Sequence, residues 1–202
     1  MVTLSAPKFD TKARARRVEI LGVFGSGKTT LAKRLTAASG RLLPEDHERN
    51  PFWGDSNSIA VLGYLGYDLS FLLQHAHLVS TVPSDTIAFC DWSFETDWLW
   101  ASLRLADDLP AYEAIRARIL KRLGPPTGYL FLRQTPDTIV DRIERRSRPA
   151  EDSFRQYVRS ACAHLDELTN KLPREKLLVV DDHVEPTAVY QWLDGMDARE
   201  TS

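Results

Sequence analysis

Apolar residues along this chain fall into short, nearly unbroken runs that alternate with longer stretches where they recur every three or four positions. The runs at 17–21 (RVEIL), 41–43, 86–90 (TIAFC), 129–132 and 176–180 (KLLVV) read as strands. Their lack of strict alternation is what a parallel strand covered on both faces requires. The periodic stretches predict helices over 28–38, 59–79, 95–106, 110–123, 136–145, 153–172 and 186–193. Strand and helix alternate throughout, so the expected architecture is α/β: an open parallel sheet of about five strands, with helices on both faces and right-handed crossovers.

Punctuation refines this picture. The first 16 residues carry Pro7, Lys8, Lys12, Arg14 and Arg16 with little periodicity and read as a flexible basic tail, with 196–202 as a second tail. Between them 17–195 forms one domain, without an internal repeat or linker. The segment 44–58 is rich in polar residues, Pro and Gly, as a site-forming loop would be.

Composition then narrows the classes of function. A chain of 202 residues with 43% apolar content suits one domain with a substantial core. Lys and Arg total 26 against 28 for Asp and Glu, so the net charge of -2 gives no reason to expect nucleic acid or an acidic membrane surface as partner. No apolar run approaches the roughly 18 residues of a membrane span. Two cysteines make neither a disulfide framework nor a zinc site, which points to a reducing compartment, the cytoplasm. Among the five histidines, His75 and His77 are two apart and point in different directions on a helix, so no metal is assigned to them.

The strongest chemical signal lies between the first strand and first helix. Gly22-Val23-Phe24-Gly25-Ser26-Gly27-Lys28-Thr29 satisfies every fixed position of GxxxxGK[ST]. Gly22, Gly25 and Gly27 let successive backbone N–H groups, that of Ser26 among them, approach phosphate oxygens, and the helix that opens there adds its positive dipole end. Lys28 then reaches the β and γ phosphates, the Thr29 hydroxyl is placed to ligate Mg²⁺, and Thr30 follows on the same helical turn. A glycine turn without a ligand is the competing explanation, and the flanking strand and helix speak against it. ATP with Mg²⁺ is the expected donor. The loop alone does not identify the reaction, because motors, switches and kinases share it.

Further segments carry a family resemblance. They are Leu43-Pro44-Glu45-Asp46-His47-Glu48-Arg49-Asn50-Pro51-Phe52, the stretch Tyr67-Asp68-Leu69-Ser70-Phe71-Leu72-Leu73-Gln74-His75, Phe89-Cys90-Asp91-Trp92-Ser93-Phe94 with the helix after it, and the Arg-rich run Arg142-Ile143-Glu144-Arg145-Arg146-Ser147-Arg148-Pro149-Ala150-Glu151. Over 18–193 the chain resembles the deoxyribonucleoside kinases, particularly their bacterial members, which are P-loop kinases with an arginine-rich lid.

The resemblance implies roles residue by residue. Glu45 matches the glutamate that takes the proton from the nucleoside's 5′-hydroxyl, a role in keeping with a carboxylate that follows the second strand beside the phosphate loop. Asp91 inherits the place of the acidic residue that helps hold magnesium. The lid, 142–151, offers Arg142, Arg145, Arg146 and Arg148 to the triphosphate, with Arg146 and Arg148 in the family's RxR spacing, and Glu151 at the place of the glutamate that binds the sugar 3′-hydroxyl. Asp68 stands where the family usually has a glutamine that pairs with the base; an ionised Asp only accepts, so a base edge with two donors, as on guanine, would suit it. Trp92 stands where many relatives have an arginine, and Trp53 is the best candidate to stack on a base. The residues alone also allow plainer readings: a solvated acidic loop around Glu45, a helix cap at Asp91, a basic helix end at the lid, and a solvated outer-face Asp68.

Three readings of function follow. The first is transfer of the γ-phosphoryl group of ATP to the 5′-hydroxyl of a (deoxy)ribonucleoside. The second is a nucleoside monophosphate kinase of the same architecture, with Arg49 as the extra cationic site. The third is a nucleotide-dependent switch or an inactive kinase-like protein, kept open by Trp92. The resemblance also implies a homodimer through helices next to the site.

Overall fold

A computed structural model describes residues 16–146 and 151–200. Five strands, β1 (Arg16–Leu21), β2 (Arg41–Leu43), β3 (Ile87–Cys90), β4 (Gly128–Leu132) and β5 (Leu177–Val180), form one sheet in the order β2-β3-β1-β4-β5. Every neighbouring pair is parallel, so all carboxyl ends open on the same edge. The seven helices are α1 (Lys28–Ala38), α2 (Ser56–Ser80), α3 (Phe94–Arg104), α4 (Leu109–Leu123), α5 (Pro136–Arg146), α6 (Asp152–Thr169) and α7 (Pro186–Glu200). The order reverses around β1, with β3 on one side and β4 on the other, and in such sheets this switch point is where ligands bind.

Both sheet faces are buried. Val18, Ile20, Leu130 and Leu132 pack with Leu31 and Leu35 of α1 and with Val189 and Leu193 of α7. The alternate residues Leu21, Tyr129 and Phe131 point the other way, to α3, α5 and α6, and Leu43, Ala88 and Cys90 meet α2, α3 and α4. Alternation along each strand therefore divides the helices, α1 and α7 beneath and α2 to α6 above.

One strand carries charge inside. Arg17 and Glu19 are buried on β1, with Arg17 Nε 2.8 Å from Glu19 Oε1. Glu19 also accepts from the Phe94 backbone N–H at 3.1 Å, and Arg17 donates to Gly124 O at 2.8 Å. The pair thus fastens the start of α3 and the end of α4 to the central strand, and α3 carries several site residues.

Three of the departures from the expected element boundaries have a clear physical cause. Helix α2 starts at Ser56 because Asp55 caps it, accepting from the N–H groups of Asn57 and Ser58, and it bends at Gly63, whose φ of 67° is left-handed. Residues 196–200 are not a tail: α7 continues to Glu200, Met196 packs against the sheet, and Asp197 pairs with Arg16 at 2.8 Å. Arg16, expected in the N-terminal tail, is the first residue of β1. The rest of that tail lies outside the described residues.

Candidate active site

The loop from Gly22 to Gly27 joins the central strand to α1. Gly25 and Gly27 adopt φ of 77° and 105°, which side chains resist, and a Cβ on Gly22 would stand 2.5 Å from Ser26 Oγ. Lys28 folds back across the loop and donates from Nζ to Gly22 O at 2.9 Å and Val23 O at 3.3 Å. Burial lowers its pKa, against the pull of Glu45, Asp91 and Asp97. Ser26 Oγ is buried without a hydrogen-bond partner. A cradle that only glycine permits, a cation across it and an unsatisfied hydroxyl inside it fit a polyphosphate. Thr29 and Thr30 are exposed on the first turn of α1.

Carboxylates converge on the same edge of the sheet. Asp91 follows β3 and is buried, and one of its oxygens accepts from the backbone N–H of Glu45, while Asp91 N donates to Leu43 O at 3.2 Å. This reciprocal tie sets Glu45, at the end of β2, beside the end of β3. Burial raises the Glu45 pKa; Lys28 and then His75 oppose the rise, and Asp97 and Asp91 add to it. Asp91 and the Thr29 hydroxyl are oxygen donors of the kind Mg²⁺ takes when substrate phosphates supply the rest.

Glu45 lines a cavity of about 330 Å³. Its walls are aromatic. Phe24 of the phosphate loop stacks on Tyr157 of α6 with centroids 5.9 Å apart, and Trp100 of α3 joins them. Trp53, half exposed, meets Phe71 edge to face at 6.3 Å, and Tyr67 packs on Phe71 at 5.1 Å. Asp97 and Arg104 are the other charged residues on the lining.

Helix α2 holds the substrate loop in place. Ser70 donates to Asn50 Oδ1 at 2.8 Å, the same oxygen accepts from Phe52 N at 3.0 Å, and Gln74 donates to Asp46 O at 2.7 Å. Asn50 of the Asn-Pro-Phe stretch is therefore a buried anchor.

Asp68 is only 4% exposed, so the solvated reading does not hold. Its carboxylate carries Arg104, with Nη2 on Oδ1 and Nε 3.4 Å from Oδ2. Trp92 is enclosed, its ring parallel to that of His75 at 3.8 Å. His75 in turn bonds Asp97 through Nδ1 at 2.7 Å.

A second depression, of about 220 Å³, lies on the α1 side of the loop and is lined by Gly27, Thr30, Arg34, Arg142, Arg146 and Asp182. Arg142 donates to Ser26 O at 2.7 Å and pairs with Asp182, which also accepts from Gln134 at 2.6 Å. Arg34 donates to the Asp182 and Val184 carbonyls at 2.6 and 2.9 Å. Arg145 is exposed and absent from this lining, and Glu151 is exposed at the N-cap of α6 and absent from the lining of the aromatic cavity. Arg148 lies outside the described residues.

Sequence reasoning assigned no individual site role to Phe24, Tyr67, His75, Asp97, Trp100, Arg104, Tyr157 and Asp182. A signal existed for most of them. Asp97, Trp100 and Arg104 stand at i, i+3 and i+7 on α3, and Tyr67, Phe71 and His75 at i, i+4 and i+8 on α2, each set on one helix face.

No protein-family model matches this sequence, and no curated protein matches it significantly. Solved structures do. Deoxyadenosine kinase from M. mycoides with bound dATP superposes with a TM-score of 0.65 at 16% identity, covering 92% of this chain and 100% of that one. The same enzyme with bound dCTP gives 0.64 at 15%, covering 92% and 98%. With dCMP and dCDP it gives 0.62 at 13%, again covering 92% and 98%. The chain therefore has the deoxynucleoside kinase fold, an α/β sheet of five parallel strands with helices on both faces.

Proposed function

We propose that this protein transfers the γ-phosphoryl group of ATP to the 5′-hydroxyl of a nucleoside or deoxynucleoside. The observation that carries the reading is the placement of Glu45: its carboxylate lies within electrostatic reach of Lys28 and on the wall of the aromatic cavity. A hydroxyl delivered there stands between a base and the phosphate loop. Its oxygen forms the new bond to Pγ, the bond from Pγ to the β–γ bridging oxygen breaks, ADP leaves, and the proton passes to Glu45. A carboxylate with a raised pKa suits that step, because a base works best when its pKa approaches the working pH. Mg²⁺ would be held by the Thr29 hydroxyl and Asp91 with the phosphates, and would supply charge neutralisation. Lys28, Arg142 and Arg146 serve the donor side, and Arg145 and Arg148 are the further cations assigned to the triphosphate. Trp53 and Asp68 act on the base side of the acceptor, and Trp92 behind it.

A nucleoside fits the cavity better than a monophosphate. Arg49, the extra cation that a monophosphate would need, is 86% exposed, pairs with Asp46 and is absent from the lining. Glu45 and Asp97 make the cavity unfavourable for a second phosphate. The solved neighbours are deoxyadenosine kinases, which supports phosphotransfer to a nucleoside. Both cysteines are free thiols, which supports a reducing compartment, the cytoplasm. No described helix is long and apolar enough to cross a membrane. The test is incubation with γ-labelled ATP, Mg²⁺ and separate panels of nucleosides and monophosphates. Label should appear in nucleoside 5′-monophosphates; label only in diphosphates, or ATP binding without any transfer, overturns the reading.

A further inference from the structure

We infer that Arg104, held by Asp68, reads the acceptor's base by donating two hydrogen bonds to a base edge that carries two adjacent acceptors. O6 and N7 of a 6-oxopurine form such an edge, and O2 and N3 of cytosine form another. The inference rests on the nucleoside kinase reading and adds a class of base to it.

Arg104 closes α3 and stands on the cavity wall with Tyr67 and Trp100. Its guanidinium lies over the Tyr67 ring, Cζ 5.4 Å from the centroid, which fixes one face. One edge is taken by Asp68, which receives Nε at 3.4 Å and also Nη2. Among the described residues no hydrogen bond engages Nη1, so the edge formed by Nη1 and the second Nη2 hydrogen is unpaired on a residue of the cavity wall. A guanidinium has five donors and no acceptor, so that edge reads acceptors alone. Aspartate and arginine together are neutral, which suits a neutral base more than an anion. Glu45 and Asp97 on the same lining strengthen that choice.

This geometry reverses the polarity that the sequence suggested at Asp68. Both carboxylate oxygens face Arg104, so the residue acts through the guanidinium and not by accepting from the base itself. Guanine and hypoxanthine offer O6 and N7 to such a fork. Adenine sets its amino group beside N7, and thymine sets N3–H beside O4, so each brings a donor against a donor. Hypoxanthine distinguishes the two polarities, because it lacks the 2-amino group that a bare carboxylate would need.

The test measures kcat/KM of the wild-type protein with ATP and Mg²⁺ for deoxyguanosine, deoxyinosine, 7-deazadeoxyguanosine, deoxycytidine, deoxyadenosine and thymidine. Deoxyguanosine and deoxyinosine should agree within about threefold, 7-deazadeoxyguanosine and deoxyadenosine should fall below them by about tenfold or more, and thymidine should fall as far below both them and deoxycytidine, mainly through KM. Arg104→Gln should move the preference toward deoxyadenosine, whose N6 and N7 match an amide. A wild-type preference for deoxyadenosine or thymidine, or equal use of deoxyguanosine and its 7-deaza analogue, overturns the inference while the kinase reading stands. An unchanged base order in folded Arg104→Gln does the same, and should that variant fail to fold, the analogue series on wild type decides. Absence of transfer to every nucleoside overturns both.

Discussion

The phosphate loop and the aromatic cavity meet at Glu45, yet they are built on opposite principles. The loop is eight consecutive residues whose backbone does the recognition, with Gly25 and Gly27 in left-handed conformations and Lys28 bonded to loop carbonyls. The cavity takes side chains from the loop itself, the segment after β2, and helices α2, α3 and α6. Backbone amides respond to charge and close approach, which every nucleoside triphosphate supplies. Side chains from distant elements fix shape and hydrogen-bond polarity, which differ between acceptors. The contrast implies that damage to the loop weakens donor binding for every acceptor, whereas damage to the cavity changes which acceptor is used.

The largest expected effect falls where the two regions join. Glu45→Gln should lower kcat by about 10²- to 10⁴-fold with ATP affinity nearly unchanged, measured by steady-state kinetics beside calorimetry. Lys28→Ala should follow, with about a 10²- to 10³-fold loss in kcat/KM across all acceptors, because a donor aimed at developing charge is removed. Gly25→Val should weaken ATP binding by about tenfold or more, since the residue holds φ at 77° with Ile143 atoms 3.1 Å from a Cβ there. Nucleoside binding should survive that change. Trp53→Ala should do the reverse, raising the nucleoside KM by about two- to tenfold and leaving ATP untouched. If Trp53→Ala weakened ATP as much as the nucleoside, the division between the regions would fail.

The mildest prediction concerns pH. Burial raises the Glu45 pKa, and the residue must be ionised to accept a proton. Activity should therefore fall as pH drops through that raised value, at higher pH than an ordinary glutamate would dictate, and the acid limb should vanish from the residual activity of Glu45→Gln.

The same contrast explains what the sequence disclosed. Parallel strands buried on both faces announce themselves as apolar runs, and the glycine loop has fixed spacing, so the sheet and the donor loop were legible. The buried Arg17–Glu19 pair within β1 was invisible, because a charged pair in a strand reads as surface until Phe94 and Gly124 are seen to satisfy it. Met196 shows a similar limit: the apolar pattern of α7 fades after Leu193, while packing against the sheet carries the helix to Glu200. In the cavity, Asp68 was singled out but its partner was not, since 36 residues separate it from Arg104 and only the packing of α2 on α3 joins them. The substitution of Trp92 for an arginine likewise gained meaning only when its ring was found flat against His75, which bonds Asp97 on the cavity wall.

The central claim is that the donor loop and the cavity serve one reaction through Glu45. A single-turnover experiment with enzyme in excess over γ-labelled ATP, in the presence of Mg²⁺ and a deoxynucleoside, tests it most directly. The account predicts that ADP and labelled 5′-monophosphate form together in equal amounts, and that a 5′-deoxy analogue of the same nucleoside receives no label. ADP released with inorganic phosphate and no nucleotide product, or transfer undiminished in Glu45→Gln, would contradict it.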